Sequence, residues 1–165
     1  MRVHLKSLRK KLILNFTAKK KADGLILTMI MAFFLITFSV TIGEYYRIHT
    51  VQQDIEYQLQ RSVNCAVEYA MGDAYRQDKI TNLDVAEARR QFYKYLLEDV
   101  GLDGSYRKYK NGKLSYKLNF SEVSGTSTPA VFTVKGEAVT ESIFSFLTGT
   151  VQIPFKISST NYRTD

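Results

Sequence analysis

Any catalytic or metal site in this chain would have to be built from two histidines, one cysteine and scattered carboxylates. His4 lies in a lysine-rich N-terminal segment, and His49 follows a long apolar run. With Cys65 they supply neither a zinc cluster nor a Cys/His nucleophile pair. A serine triad would have to draw on His49, and no P-loop or GxGxxG motif is present. Asp99, Asp103 and Ser105 lack the dense alternating carboxylates of a calcium loop, and with Gly101 and Gly104 they read as a turn that ends a helix. The residue types therefore predict no catalytic, cofactor-binding or metal-binding residues and a chain that is not an enzyme. Cys65, beside Ala66, Val67 and Ala70, is expected to be a small buried helix residue, with an intermolecular disulfide as the sharper alternative.

The other residues with binding chemistry are cations. Arg107, Lys108, Lys110, Lys113 and Lys117 alternate with Tyr106, Tyr109 and Tyr116 and form a candidate surface-binding patch for wall polymers, anionic surfaces or DNA. Its plain alternative is the solvated face of a hairpin. Nucleic acid is not the first choice, because the basic balance of the chain arises elsewhere. Residues 1–23 carry eight Lys/Arg and one acid, the whole formal net charge of +7, while the remainder has 15 basic and 15 acidic residues. Such asymmetry fits the positive-inside rule, with the N-terminus cytoplasmic and the large domain translocated.

These residues are carried by a chain organised around Leu25–Gly43, which has no charge and no proline. Its 19 residues reach about 28 Å as a helix, close to the hydrocarbon thickness of a bilayer. The run is longer than a usual signal-peptide core, and no small-x-small cleavage site follows it. Tyr45 and Tyr46, with Arg47, sit just past it like an aromatic belt. Residues 1–24 form a basic leader, either an amphipathic helix through Leu5, Leu8, Leu12 and Phe16 or a flexible tail. Over residues 44–77 apolar residues recur at Ile48, Val51, Ile55, Leu59, Val63, Ala66 and Ala70, in steps of three and four. Anchor and amphipathic segment thus predict one rod from Leu25 to Gln77, about 80 Å long. Residues 78–165 are expected to form an extracytoplasmic domain.

A second helix is predicted over Asp84–Val100, opened by Asp84-x-x-Glu87 as a capping box and closed by Gly101. The period then changes to two. Lys113–Phe120, Val131–Ala138 and Val151–Ser158 alternate apolar with polar residues and predict a half-buried antiparallel sheet, its apolar face on the long helix. Pro154 suits an edge strand or a bulge. Ser121–Pro129 reads as a polar loop, and Ile143–Leu147 as an apolar connector. The fold class is α+β, with a long N-terminal transmembrane and amphipathic helix, a second helix and a small antiparallel sheet.

This order of elements resembles type IV pilin-like proteins, and more narrowly the TadE-like pseudopilins of tight-adherence pili. The similarity lies in the basic leader, the hydrophobic helix that becomes amphipathic, and the terminal FTVKGEAV, SIFSFLTG and TVQIPFKISSTNYR segments. The resemblance implies a minor structural subunit that assembles through its hydrophobic helix. Its implied partners are the membrane, other pilin or pseudopilin subunits, pilus assembly proteins and a prepilin peptidase acting at Gly24 and Leu25. Glu44 and Tyr45 become candidate assembly contacts. The fifth residue after Gly24 is Met29, where such precursors carry Glu, so a cleaved filament subunit and a permanent single-pass anchor both stay open. A membrane-anchored sensor or scaffold outside any filament is the alternative function.

Overall fold

The computed structural model describes residues 2–71, 82–145 and 149–160, with side chains from Gly24 onward and Thr160 excepted. The chain divides into two units, Met1–Tyr46 and Arg47–Asp165. One helix, α1 (Arg2–Ala70), runs through the first unit and into the second. Nothing in the sequence between Gly24 and Ala70 interrupts it, since no proline occurs there. The predicted rod as far as Gln77 passes beyond Met71 into residues outside those described.

In the first unit α1 is apolar on every side from Leu25 to Gly43, and its side chains are exposed all round, Phe33 at 73% and Leu35 at 58%. A helix apolar round its whole circumference does not belong in water.

The second unit has a closed core. Ile55, Leu59, Val63, Ala66, Val67 and Ala70 of α1 are buried along one stripe, because residues three and four apart share a helix face. The opposite face is polar and tied by i,i+4 side-chain bonds, Gln52 to Glu56 at 2.9 Å and Gln60 to Asn64 at 2.9 Å. His49 joins this face beside Gln53. Cys65 is half-buried rather than fully buried as the sequence suggests. It sits where the core stripe turns toward Tyr95, in a pocket of about 40 Å³ shared with Arg61 and Asp99.

Helix α2 (Val85–Glu98) packs Ala88, Phe92 and Leu96 into the same core. The Asp84 carboxylate accepts from the amides of Ala86 and Glu87, both at 3.0 Å, and so caps the helix. The capping box forms only on that side. The Glu87 carboxylate turns away to accept from Gln91 at 2.7 Å and Arg90 at 2.9 Å, and the Asp84 amide donates instead to the Ala70 carbonyl at 3.4 Å. At the other end Gly101 takes φ +71° while the Leu102 amide donates back to the Leu96 carbonyl at 3.0 Å, the helix stop read from the sequence. Asp103 folds the following loop: its carboxylate accepts from the amides of Ser105 at 2.8 Å and Arg107 at 2.9 Å.

The sheet is an antiparallel meander of four strands in chain order, β1 (Arg107–Lys110), β2 (Lys113–Thr126), β3 (Val131–Glu141) and β4 (Thr150–Thr160). Its inner face buries Tyr116, Leu118, Phe132, Val134, Ala138, Ile153, Phe155 and Ile157 against the helices. The outer face carries polar pairs such as Glu122–Lys135 at 2.7 Å and Thr133–Ser158 at 3.0 Å. Pro154 lies on an edge strand, where a missing amide costs no ladder bond.

Two departures from the sequence reading concern β2 and β1. The predicted loop Ser121–Pro129 is mostly strand, and the turn is only Ser127–Ala130. A bulge between Phe120 and Glu122 inserts one residue and reverses the parity, so the inner positions pass from Leu118 and Phe120 to Val123 and Gly125. Strand β1 is not among the predicted strands. Its partner is β2 across the turn Asn111–Gly112, with φ of 52° and 75°, the geometry of a tight two-residue hairpin that Asn-Gly favours.

Candidate anchoring and docking surfaces

Helix α1 is long and apolar enough between Gly24 and Ala70 to cross a membrane. The few polar side chains of residues 25–43 are satisfied within the helix. The hydroxyls of Thr28, Thr37, Ser39 and Thr41 each donate to the carbonyl four residues back at 2.8–2.9 Å. That is the condition for a polar group in hydrocarbon, where water cannot serve it. Phe34 and Phe38 stack with ring centres 6.3 Å apart.

Gly24 and Leu25, the candidate processing site, lie within this continuous helix, and a Cβ added at Gly24 would meet nothing within 4 Å outside its own helix turn. Glu44 and Tyr45 part company. Tyr45 is 67% exposed and packs edge-on against Tyr46 at 5.9 Å, whereas Glu44 is only 6% exposed and its side chain is engaged within the chain. Tyr46, like Tyr45, is exposed.

The five cations of the candidate patch do not act together. Arg107 lies opposite Lys117 and Lys110 opposite Lys113, but a bulge in β2 between these pairs shifts the register at Lys108/Tyr109 and sets them on opposite faces of the β1–β2 hairpin, Arg107 and Lys117 outward. Lys108 faces inward, and its ammonium donates to the Val100 carbonyl just past the end of α2, where a cation suits the helix dipole. The interleaved tyrosines also separate. Tyr116 is 1% exposed and burial pushes its hydroxyl well above the usual tyrosine range. Tyr106 joins the aromatic cluster of Tyr93, Phe92 and Phe120, while Tyr109 stays exposed. Sequence reasoning missed the capping role of Lys108, because nothing short of the strand register distinguishes it from its neighbours.

Among the described residues no three His, Cys, Asp or Glu side chains converge as metal ligands would. Compared with protein-family models, curated proteins and solved structures, the chain finds no match.

Proposed function

We propose that this chain is a single-pass, membrane-anchored structural protein built on a pilin-like plan. Residues 25–43 sit in the bilayer, residues 1–23 face the cytoplasm, and the α+β unit projects on the other side. The observation that carries the reading is the exposure of every large apolar side chain from Leu25 to Phe38 on a helix that continues into a folded core. In water those side chains would be a severe liability. In lipid, or bundled with the same helix of other copies, they are at home. The role is structural rather than catalytic, that of a minor pilin or pseudopilin-like subunit whose helices assemble side by side.

Membrane fractionation followed by alkaline extraction tests the anchor: the full chain should stay in the pellet, and release into the supernatant would sink the reading. Mass spectrometry of the N-terminus then separates two fates. Cleavage after Gly24 supports a filament subunit. An intact N-terminus supports the alternative, an anchored scaffold or sensor, which draws on the self-sufficient core and polar outer face of residues 47–70.

A further inference from the structure

We propose that both edges of the sheet are closed against strand addition by a second copy, the β4 edge by Pro154 and Lys156 and the open stretch of β2 by Arg89. The inference stands on the second unit alone and does not need the anchor. Among the described residues β4 is an edge along its whole length, since the strand order is β1-β2-β3-β4. An edge strand offers unpaired amides and carbonyls to any other chain. Which residues offer them follows from the register. The Ser142 amide donates to the Gly149 carbonyl at 3.5 Å. By antiparallel alternation Thr140–Val151, Ala138–Ile153, Gly136–Phe155 and Val134–Ile157 are then the hydrogen-bonded pairs. Gln152, Pro154, Lys156 and Ser158 therefore turn their backbone groups outward, and all four are exposed. Carried across β3, the same alternation turns Leu118 and Val123 of β2 away from β3. The observed bonds agree: the Leu118 amide donates to the Tyr106 carbonyl at 2.9 Å, and the Val123 carbonyl accepts from Arg89 at 2.6 Å.

Pro154, the only proline in the four strands, thus sits at an outward position. Its ring fills the place of an amide in the middle of the edge. In a two-fold pairing of β4 with β4 of a second copy this fault occurs on both strands, so two ladder bonds near the centre are missing. The same pairing brings Lys156 of each copy into one short stretch, like charge beside like charge. At the other edge β1 covers β2 only from Lys113 to Lys117. Beyond it the outward groups are those of Phe120, Val123 and Gly125. Arg89 of α2 takes the middle carbonyl of the three. A strand arriving there has to displace a charge-assisted bond before it can pair.

Amide hydrogen exchange and sedimentation equilibrium on the full-length chain in micelles test the proposal. In the wild type the amides of Gln152, Lys156 and Ser158 should exchange freely, while those of Ile153, Phe155 and Ile157 are slow. Slow exchange at the first three means that the edge is already covered, and it overturns the proposal without any variant. Pro154→Thr with Lys156→Thr restores the two missing bonds and removes the charge. Association through β4 should then rise about 25-fold, fivefold for each bond, and exchange at Gln152 and Ser158 should slow as concentration rises. Sizes are read against the wild type, in which residues 25–43 are the same. No gain in a variant of unchanged circular dichroism overturns the role of Pro154 and Lys156. Growth beyond a doubling of the wild-type size overturns that of Arg89, because a closed second edge stops pairing at two copies.

Discussion

Replacing Gly136 by alanine should damage the fold more than any other single-methyl addition at a described glycine. Gly136 lies in the middle of β3, opposite Phe120 on β2 and Phe155 on β4. Those two rings meet edge-to-face with centres 5.9 Å apart. A Cβ at Gly136 would sit 2.2 Å from the Asn119 carbonyl oxygen and 2.8 Å from the tip of the Phe155 ring. The ring can tilt, but the carbonyl belongs to the backbone of a paired strand. Relief requires opening the β2–β3 ladder beside the bulge. Overpacking of this kind costs about 1–3 kcal/mol, and a weakened ladder hydrogen bond adds about 1 kcal/mol. A loss near 3 kcal/mol should lower the melting temperature by roughly 10–15 °C for a unit of this size. The assay is thermal unfolding of the full chain in micelles, followed by near-ultraviolet tyrosine dichroism, which reports on the core rather than on helix content. Gly104→Ala is the control, since nothing lies within 4 Å of its added methyl. Should Gly136→Ala melt with the wild type, or no lower than Gly104→Ala, the steric argument is wrong.

Asp84→Ala should destabilise the second unit by about 1 kcal/mol through loss of the α2 cap, and Asp84→Ser should restore most of it, as read from urea midpoints. Leu35→Arg places a charge at the centre of the apolar run and should cost about 2.5–3.5 kcal/mol of insertion, seen as a larger alkali-extractable fraction; unchanged extraction would contradict a spanning helix. The hydrogen bond from Lys135, helped by one from Ser124, holds the Glu122 carboxyl below its ordinary range. Because the folded pKa is the lower one, this stabilisation is present above the unfolded value, near 4.3, and is lost as pH falls through the folded value. Wild type should therefore exceed Glu122→Gln in urea midpoint at pH 7, and the gap should close at about pH 3. A gap of equal size at both would refute the pairing.

What could be read from the sequence followed from how evenly each element meets water. The strands around Phe132–Ala138 and Ile153–Ile157 have one face on the helices and one in solvent, so their alternation is written plainly. The second half of β2 was not legible, because one extra residue at the bulge shifts the apolar positions from even to odd numbers. Strand β1 has almost no buried side to write a pattern with, and its signal was the turn Asn111–Gly112 that follows it. The helix long and apolar enough to cross a membrane was legible from composition alone, and the cationic cluster from charge. That Lys108 serves a helix end while its neighbours face outward depends on register, which no count of charges contains.

The strand order also sets a timetable. Each strand pairs only with its neighbour in the chain, so the sheet can grow as fast as the polypeptide arrives. The apolar stripe Ile55–Ala70 is made first, yet its cover includes Ile157 of the last strand. At synthesis rates of about 5–20 residues per second, that stripe waits roughly 5–20 s for its final partner. During this interval the helix is a sticky, half-finished surface. The step most exposed to error in the life of this protein is therefore its own emergence, and a holding factor or a neighbouring helix would matter most in those seconds.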